Sequence, residues 1–169
     1  MLSFKKYATP ALILLGIAAL LVFLWLNLVD NTPAPDVTFT TITGKKISMN
    51  SLKGKVVLVS FWATDCRVCV KEMSELINIY KAFQPKGFEV IAVSMPYDPP
   101  AQLMNYVTQK ALPFPVMHDS FAEISQKFGG IKATPTAFIF DKQGKRLQYT
   151  VGALDFNKLT KLLNKELVK

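Results

Sequence analysis

Phe61-Trp62-Ala63-Thr64-Asp65-Cys66-Arg67-Val68-Cys69 lies between two segments of different periodicity. Before it, Val56-Val57-Leu58-Val59-Ser60-Phe61 is short, β-branched and almost continuously apolar, and Gly54 bounds it. That composition predicts a strand buried on both faces. After it, Cys69, Met73, Leu76, Tyr80 and Phe83 recur at helical spacing, with Lys71, Glu75 and Asn78 on the opposite face. Pro85 and Gly87 mark the helix end. The Cys-x-x-Cys pair therefore stands at a strand-to-helix turn. These are the only two cysteines in the chain, too few for a disulfide framework. A structural zinc site takes four ligands, and two cysteines with the single histidine, His118, fall short unless a carboxylate joins them. A redox pair is the better reading.

Working outward, Val37–Thr41 and Lys46–Ser48 flank Thr43-Gly44 as a hairpin. Beyond the first helix, Phe88–Ser94 reads as a strand, Pro99–Lys110 as a helix and Phe114–Met117 as a short strand. Phe121–Phe128 reads as a short helix closed by Gly129-Gly130. Thr136–Phe140 and Arg146–Val151 flank the turn Asp141-Lys142-Gln143-Gly144. Asp155–Leu167 closes the chain as a helix, with Phe156, Leu159, Leu163 and Leu167 on one face and lysines on the other. Strands alternating with helices, then a hairpin and a helix, predict an α/β fold with a mixed sheet covered on both faces.

The other end of the chain is different in kind. Half of the 169 residues are apolar and 19% are charged, which excludes a disordered chain. The apolar excess concentrates in Ala11–Val29, nineteen residues without a charge. As a helix this run would span roughly 28 Å, against a bilayer core of about 30 Å. A cleaved signal peptide usually has a shorter apolar region and a small-x-small site. Here only Thr32-x-Ala34 offers one, poorly, and no cysteine follows for lipidation. The expectation is a cytoplasmic N-terminus over residues 1–10, a transmembrane anchor over 11–29, a proline-containing linker over 30–36 and a globular domain over 37–169. Lys5 and Lys6 precede the run and Asp30 follows it, so the positive-inside rule puts the domain on the extracytoplasmic side. Residues 31–169 carry 18 cationic and 11 anionic side chains. The resulting +7 is scattered over single lysines and pairs, which reads as a solvated surface without nucleic-acid binding.

Cys66 and Cys69 after Trp62-Ala63-Thr64, with the distant Ala133-Thr134-Pro135-Thr136-Ala137-Phe138, resemble the thioredoxin fold. More specifically, the chain resembles the membrane-anchored TlpA/ResA-like thiol-disulfide oxidoreductases, over about residues 36–167. The stretch from Phe88 to Phe128 is longer than in a minimal thioredoxin and is similar to that family's central strand-helix insertion. The resemblance implies a periplasmic or otherwise extracytoplasmic enzyme on the bacterial inner membrane, with no cofactor beyond the redox-active Cys66–Cys69 disulfide. It also implies two partners: a substrate protein with a disulfide or Cys-x-x-Cys, and a membrane thiol-disulfide electron donor.

Each motif residue has an expected role. Cys66, at a helix N-terminus where unsatisfied N–H groups favour an anion, is the nucleophile. Cys69, on the apolar stripe, is the buried resolving thiol. Asp65 would oppose the Cys66 thiolate and Arg67 would favour it; many relatives carry an aromatic residue or Ser at the first position and Pro where Val68 stands. By resemblance Pro135 is the cis-proline beside the sulfurs, and Thr134 offers backbone groups to a substrate strand. Glu72, three residues after Cys69, matches a family glutamate and would relay the proton of the buried thiol. Trp62 is expected beside the active-site surface, in reach of substrate. His118 reads as an ordinary surface histidine, and no metal ligand is assigned.

The expected activity is reduction of substrate disulfides, of the cytochrome c maturation or metal-site assembly type. One alternative is a peroxiredoxin-like peroxidase, although Thr64 precedes Cys66 by two residues where that chemistry uses Thr-x-x-Cys. The other is a Sco-like copper chaperone, which would want one more residue between the cysteines and a placed histidine.

Overall fold

The computed structural model describes residues 13–23 and 32–168. The chain divides into two units, Met1–Thr32 and Pro33–Lys169. In the first, residues 13–23 are helical with exposed side chains. Residues 11, 12 and 24–29 of the expected anchor lie outside the described residues. Among the described residues no helix is long and apolar enough to cross a membrane.

The second unit is built on a five-stranded sheet of order β5-β4-β3-β6-β7. Its strands are β3 (Val56–Trp62), β4 (Phe88–Ser94), β5 (Val116–His118), β6 (Thr136–Phe140) and β7 (Arg146–Val151). β3 pairs parallel with β4 and antiparallel with β6, so the sheet is mixed. A separate antiparallel hairpin joins β1 (Thr38–Thr40) to β2 (Lys46–Ser48). The helices are α1 (Arg67–Phe83), α2 (Pro100–Lys110), α3 (Glu123–Lys127) and α4 (Phe156–Leu167).

Every residue of β3 and of β4 is buried, as their unbroken apolar character requires of strands covered on two faces. Alternation along β3 divides the core. Val56, Leu58 and Trp62 pack with α1, α2 and α4, while Val57, Val59 and Phe61 pack with the hairpin and α3. The α1 stripe of Cys69, Met73, Leu76, Tyr80 and Phe83 is buried throughout. On β4, Glu89 faces inward and is satisfied by Lys55 Nζ at 2.7 Å and the Tyr80 hydroxyl at 3.1 Å. Burial, with the Glu89 charge beside it, pushes the Tyr80 phenol up to about 12.

Three boundaries differ from the expectation. β5 starts two residues late, because Pro115 has no N–H to give a ladder; its carbonyl accepts from Ala92 at 3.0 Å and regular pairing begins at Val116. α3 is only five residues long, because Ala122 takes a left-handed φ of 57° and Asp119 caps the helix through the N–H groups of Ile124 and Ser125. Residues 33–36, read as linker, touch the folded unit: Pro33 bridges to Lys145, and the Ala34 N–H donates to the Gly144 carbonyl at 2.8 Å.

Candidate active site

The parallel strands deliver their C-terminal ends to one edge of the fold. β3 ends at Trp62, and Ala63–Asp65 turn the chain into α1. Cys66 is the N-cap residue, with extended φ and ψ of −78° and 101°, and its Sγ accepts from the Cys69 N–H at 3.2 Å. The sulfur thus sits where the first N–H groups of α1 have no intrahelical partner. Cys66 is half-buried and Cys69 is 3% exposed, and the two are joined as a disulfide. Asp65, Arg67 and Val68 are exposed around the pair.

The loop before β6 closes the other side. The Thr134–Pro135 bond is cis. Pro135 is buried, and its carbonyl accepts from the Gly152 N–H at 2.8 Å. A small cavity below the pair is lined by Cys69, Pro135, Ser60, Glu72 and Leu154, among others. Glu72 reaches it from α1, one turn after Cys69, and its Oε1 accepts from the Leu154 N–H at 2.7 Å. Burial pushes the Glu72 carboxyl above the usual glutamate range, and the Leu154 hydrogen bond offsets part of that rise. Cys69, Glu72 and Pro135, 66 residues apart in sequence at the extremes, therefore line one space.

Two expected positions differ. Trp62 is only 1% exposed and packs against Tyr106 of α2, with ring centroids 5.3 Å apart and the planes tilted by 54°. Its place in the β3 alternation turns the indole inward, where it lines the cavity with Cys69 and Glu72 and is not part of the exposed surface. His118 is half-buried at the end of β5, with Nδ1 at 2.8 Å from the Ser120 hydroxyl. Neither lies at the rim of the cysteine pair.

A profile of the AhpC/TSA family matches residues 31–148. The thiol-disulfide oxidoreductase ResA of Bacillus thuringiensis subsp. konkukian is 37% identical over 132 residues, covering 78% of this chain and 75% of the relative. ResA of Bacillus subtilis is 30% identical over 125 residues, covering 74% and 69%. The chain belongs to the AhpC/TSA family, among its ResA-like members. The crystal structure of a thioredoxin-family thiol:disulfide interchange protein from Chlorobium tepidum superposes with a TM-score of 0.74 at 29% identity, covering 81% of this chain and 97% of that one. This ResA-like chain is an enzyme, a thiol-disulfide oxidoreductase with a thioredoxin-like domain.

The contacts of Thr64 and His118 bear on the two alternatives. The Thr64 hydroxyl, which a peroxidase would direct at peroxide, is engaged by Asp98 and Gln102. His118, the histidine that a copper chaperone would bring to the cysteines, lines a different pocket with Asp119, Ser120 and Phe121 and meets the Ser120 hydroxyl. Asp98, Gln102 and Tyr97, which do approach the two active-site loops, were not expected from the sequence. Tyr97 and Asp98 follow β4 in Met95-Pro96-Tyr97-Asp98-Pro99-Pro100, where the nearby prolines make an aspartate look like a turn residue, and Gln102 lies in the first turn of α2.

Proposed function

We propose that this protein is an extracytoplasmic reductant of substrate disulfides, anchored by residues 11–29. The observation that carries the reading is the asymmetry of the pair: Cys66 is accessible at a helix N-terminus, and Cys69 is buried beneath it. In the dithiol state the Cys66 thiolate attacks one sulfur of the substrate disulfide. The bond between the substrate sulfurs breaks, and its electron pair leaves with the second sulfur as a thiolate. Cys69, deprotonated, then attacks Cys66 Sγ, restores the internal disulfide and releases the first substrate sulfur. Two electrons pass to the substrate, and both substrate sulfurs take up protons.

Glu72 supports the second attack. A thiol in an apolar space resists ionisation, and among the described residues Glu72 is the carboxylate that lines the cavity with Cys69. With its proton affinity raised, Glu72 accepts the Cys69 proton during resolution and then gives it up to the released substrate thiolate or to solvent. Thr134 and Pro135 form the wall along which an extended substrate segment would lie.

The direction of transfer rests on the compartment. On the extracytoplasmic side the pair is oxidised by its surroundings, so the dithiol must be restored by a membrane thiol-disulfide donor. ResA-like relatives and the Lys5–Lys6 placement support that side. Substrates are proteins with a disulfide or Cys-x-x-Cys, such as an apocytochrome c or a metal-site protein.

Replacing Cys69 with Ala tests the reading. Cys69→Ala in the full-length protein should accumulate a mixed disulfide between Cys66 and its substrate, recoverable by non-reducing electrophoresis and released by dithiothreitol. Recovery of the same adducts from Cys66→Ala with Cys69 intact would reverse the roles.

A further inference from the structure

The turn after β4 grips the turn that carries Cys66. Asp98 is 1% exposed, and both carboxylate oxygens are engaged. Oδ2 accepts from the Thr64 N–H at 3.0 Å and from the Ser94 hydroxyl at 2.6 Å, and Oδ1 accepts from the Thr64 hydroxyl. Thr64 Oγ1 in turn accepts from the Gln102 side-chain amide of α2 at 2.7 Å. The Met95 N–H donates to the Trp62 carbonyl at 3.0 Å, and the Tyr97 hydroxyl stands 3.2 Å from Thr134 Oγ1. One four-residue turn thus contacts both the cysteine loop and the cis-proline loop.

Asp98 takes no part in the salt bridges Lys55–Glu89, Lys158–Asp155 and Lys165–Glu166 seen among the described residues. A buried carboxylate without a cation is costly, and here it is compensated only by donors from the turn it holds and from Ser94. The Ala63–Asp65 turn is also held by the burial of Ala63. Within it, Cys66 N–H reaches the Ala63 carbonyl at a long 3.2 Å. Two peptide units separate Thr64 from Cys66, so fixing both the backbone and the side chain of Thr64 limits where the sulfur can go.

We propose that Asp98 is a positioning residue for Cys66, acting through Thr64 to hold the sulfur in register with Cys69. The proposal rests on Cys66 being the exchanging thiol. Closing a disulfide between two thiols is favourable in proportion to their effective concentration, which depends on how well they are pre-aligned. Loosening the Thr64 turn should therefore weaken the internal disulfide relative to the dithiol and slow resolution.

The test compares Thr64→Val, which is isosteric and lacks the hydroxyl, with Thr64→Ser, which keeps it. Full-length variants are equilibrated with glutathione buffers, and the dithiol fraction is read by thiol labelling. Thr64→Val should shift the equilibrium constant toward the dithiol by about tenfold, while Thr64→Ser stays within twofold of the parent. Asp98→Asn should shift in the same direction as Thr64→Val. Equal constants for Val, Ser and parent would overturn the proposal, whatever happens to thermal stability, because a purely structural turn moves Tm alone. Cys66→Ser is the control. If it still exchanges, the nucleophile assignment has failed; if it is inert while Thr64→Val behaves as the parent, only the Asp98 role has failed.

Discussion

Glu72 holds its proton to higher pH than an exposed glutamate because burial outweighs the hydrogen bond from Leu154. That direction has a consequence for stability as well as for catalysis. A folded-state pKa raised above the unfolded value gives a contribution that is complete below the unfolded pKa and is lost as pH rises through the folded one. Ionising Glu72 thus works against folding between the ordinary glutamate range and the raised value above it. Glu72→Gln keeps an oxygen for the Leu154 N–H and removes the charge. Thermal unfolding followed against pH should show the variant gaining on the parent as pH climbs from about 4.5 toward neutrality. The same substitution should slow disulfide exchange and flatten its pH–rate profile; unchanged rates would leave Glu72 without a role in proton transfer. The placement of Cys66 and Cys69 at a strand-to-helix turn is legible in their spacing, whereas the cis bond at Pro135 and the interest of Glu72 come only through the family resemblance. Asp98 is legible by neither route, since its meaning comes from Thr64, 34 residues away, and no local pattern encodes that contact.

Among the elements, α4 serves the fold along most of its length and reaches the site at its start, where Phe156 lines the cavity with Cys69 and Glu72. Leu159 and Leu163 are 1% and 0% exposed and join the α1 side of the core. Leu163→Ala should cost about 2–5 kcal/mol in urea unfolding through lost burial and a residual cavity, with the glutathione equilibrium unchanged. A change in that equilibrium would mean that α4 packing reaches the cysteines. The same helix is capped by Asp155, whose carboxylate accepts from the Lys158 N–H at 3.0 Å. That bond, reinforced by the Lys158 charge, holds the Asp155 carboxyl below the usual aspartate range. Its contribution is present above the unfolded pKa and lost as pH falls through the lowered folded value. Asp155→Asn retains a capping oxygen, so its stability deficit should shrink as pH falls below about 3.8 and persist at neutral pH; a pH-independent deficit would argue against the charge. The long, strongly patterned elements β3, α1, β4 and α4 were legible because burial follows the apolar period. β5 and α3 were misplaced because a missing proline N–H and one left-handed alanine set their starts, and neither leaves a periodic trace.

For the molecule as a whole, the two ends of the chain have separate jobs. The globular unit carries the enzyme, and the apolar run of residues 11–29 carries the proposed placement. Within the +8 charge, Lys5 and Lys6 are the two that would orient that run in the proposed placement. If the anchor assignment is right, the full-length protein stays with the membrane pellet after alkaline carbonate extraction, and a chain lacking residues 1–29 is released. Release of both would remove the anchor from the account. Placement then bears on direction, since a reductant facing an oxidising compartment must bind its electrons less tightly than the thiols around it. The most direct test of the central claim is the equilibrium between the Cys66–Cys69 pair and glutathione in the full-length protein. The account predicts a potential more negative than that of the glutathione pool, so that the dithiol donates to protein disulfides. A strongly oxidising potential, in the range of thiol oxidases, would reverse the direction of electron flow and contradict it.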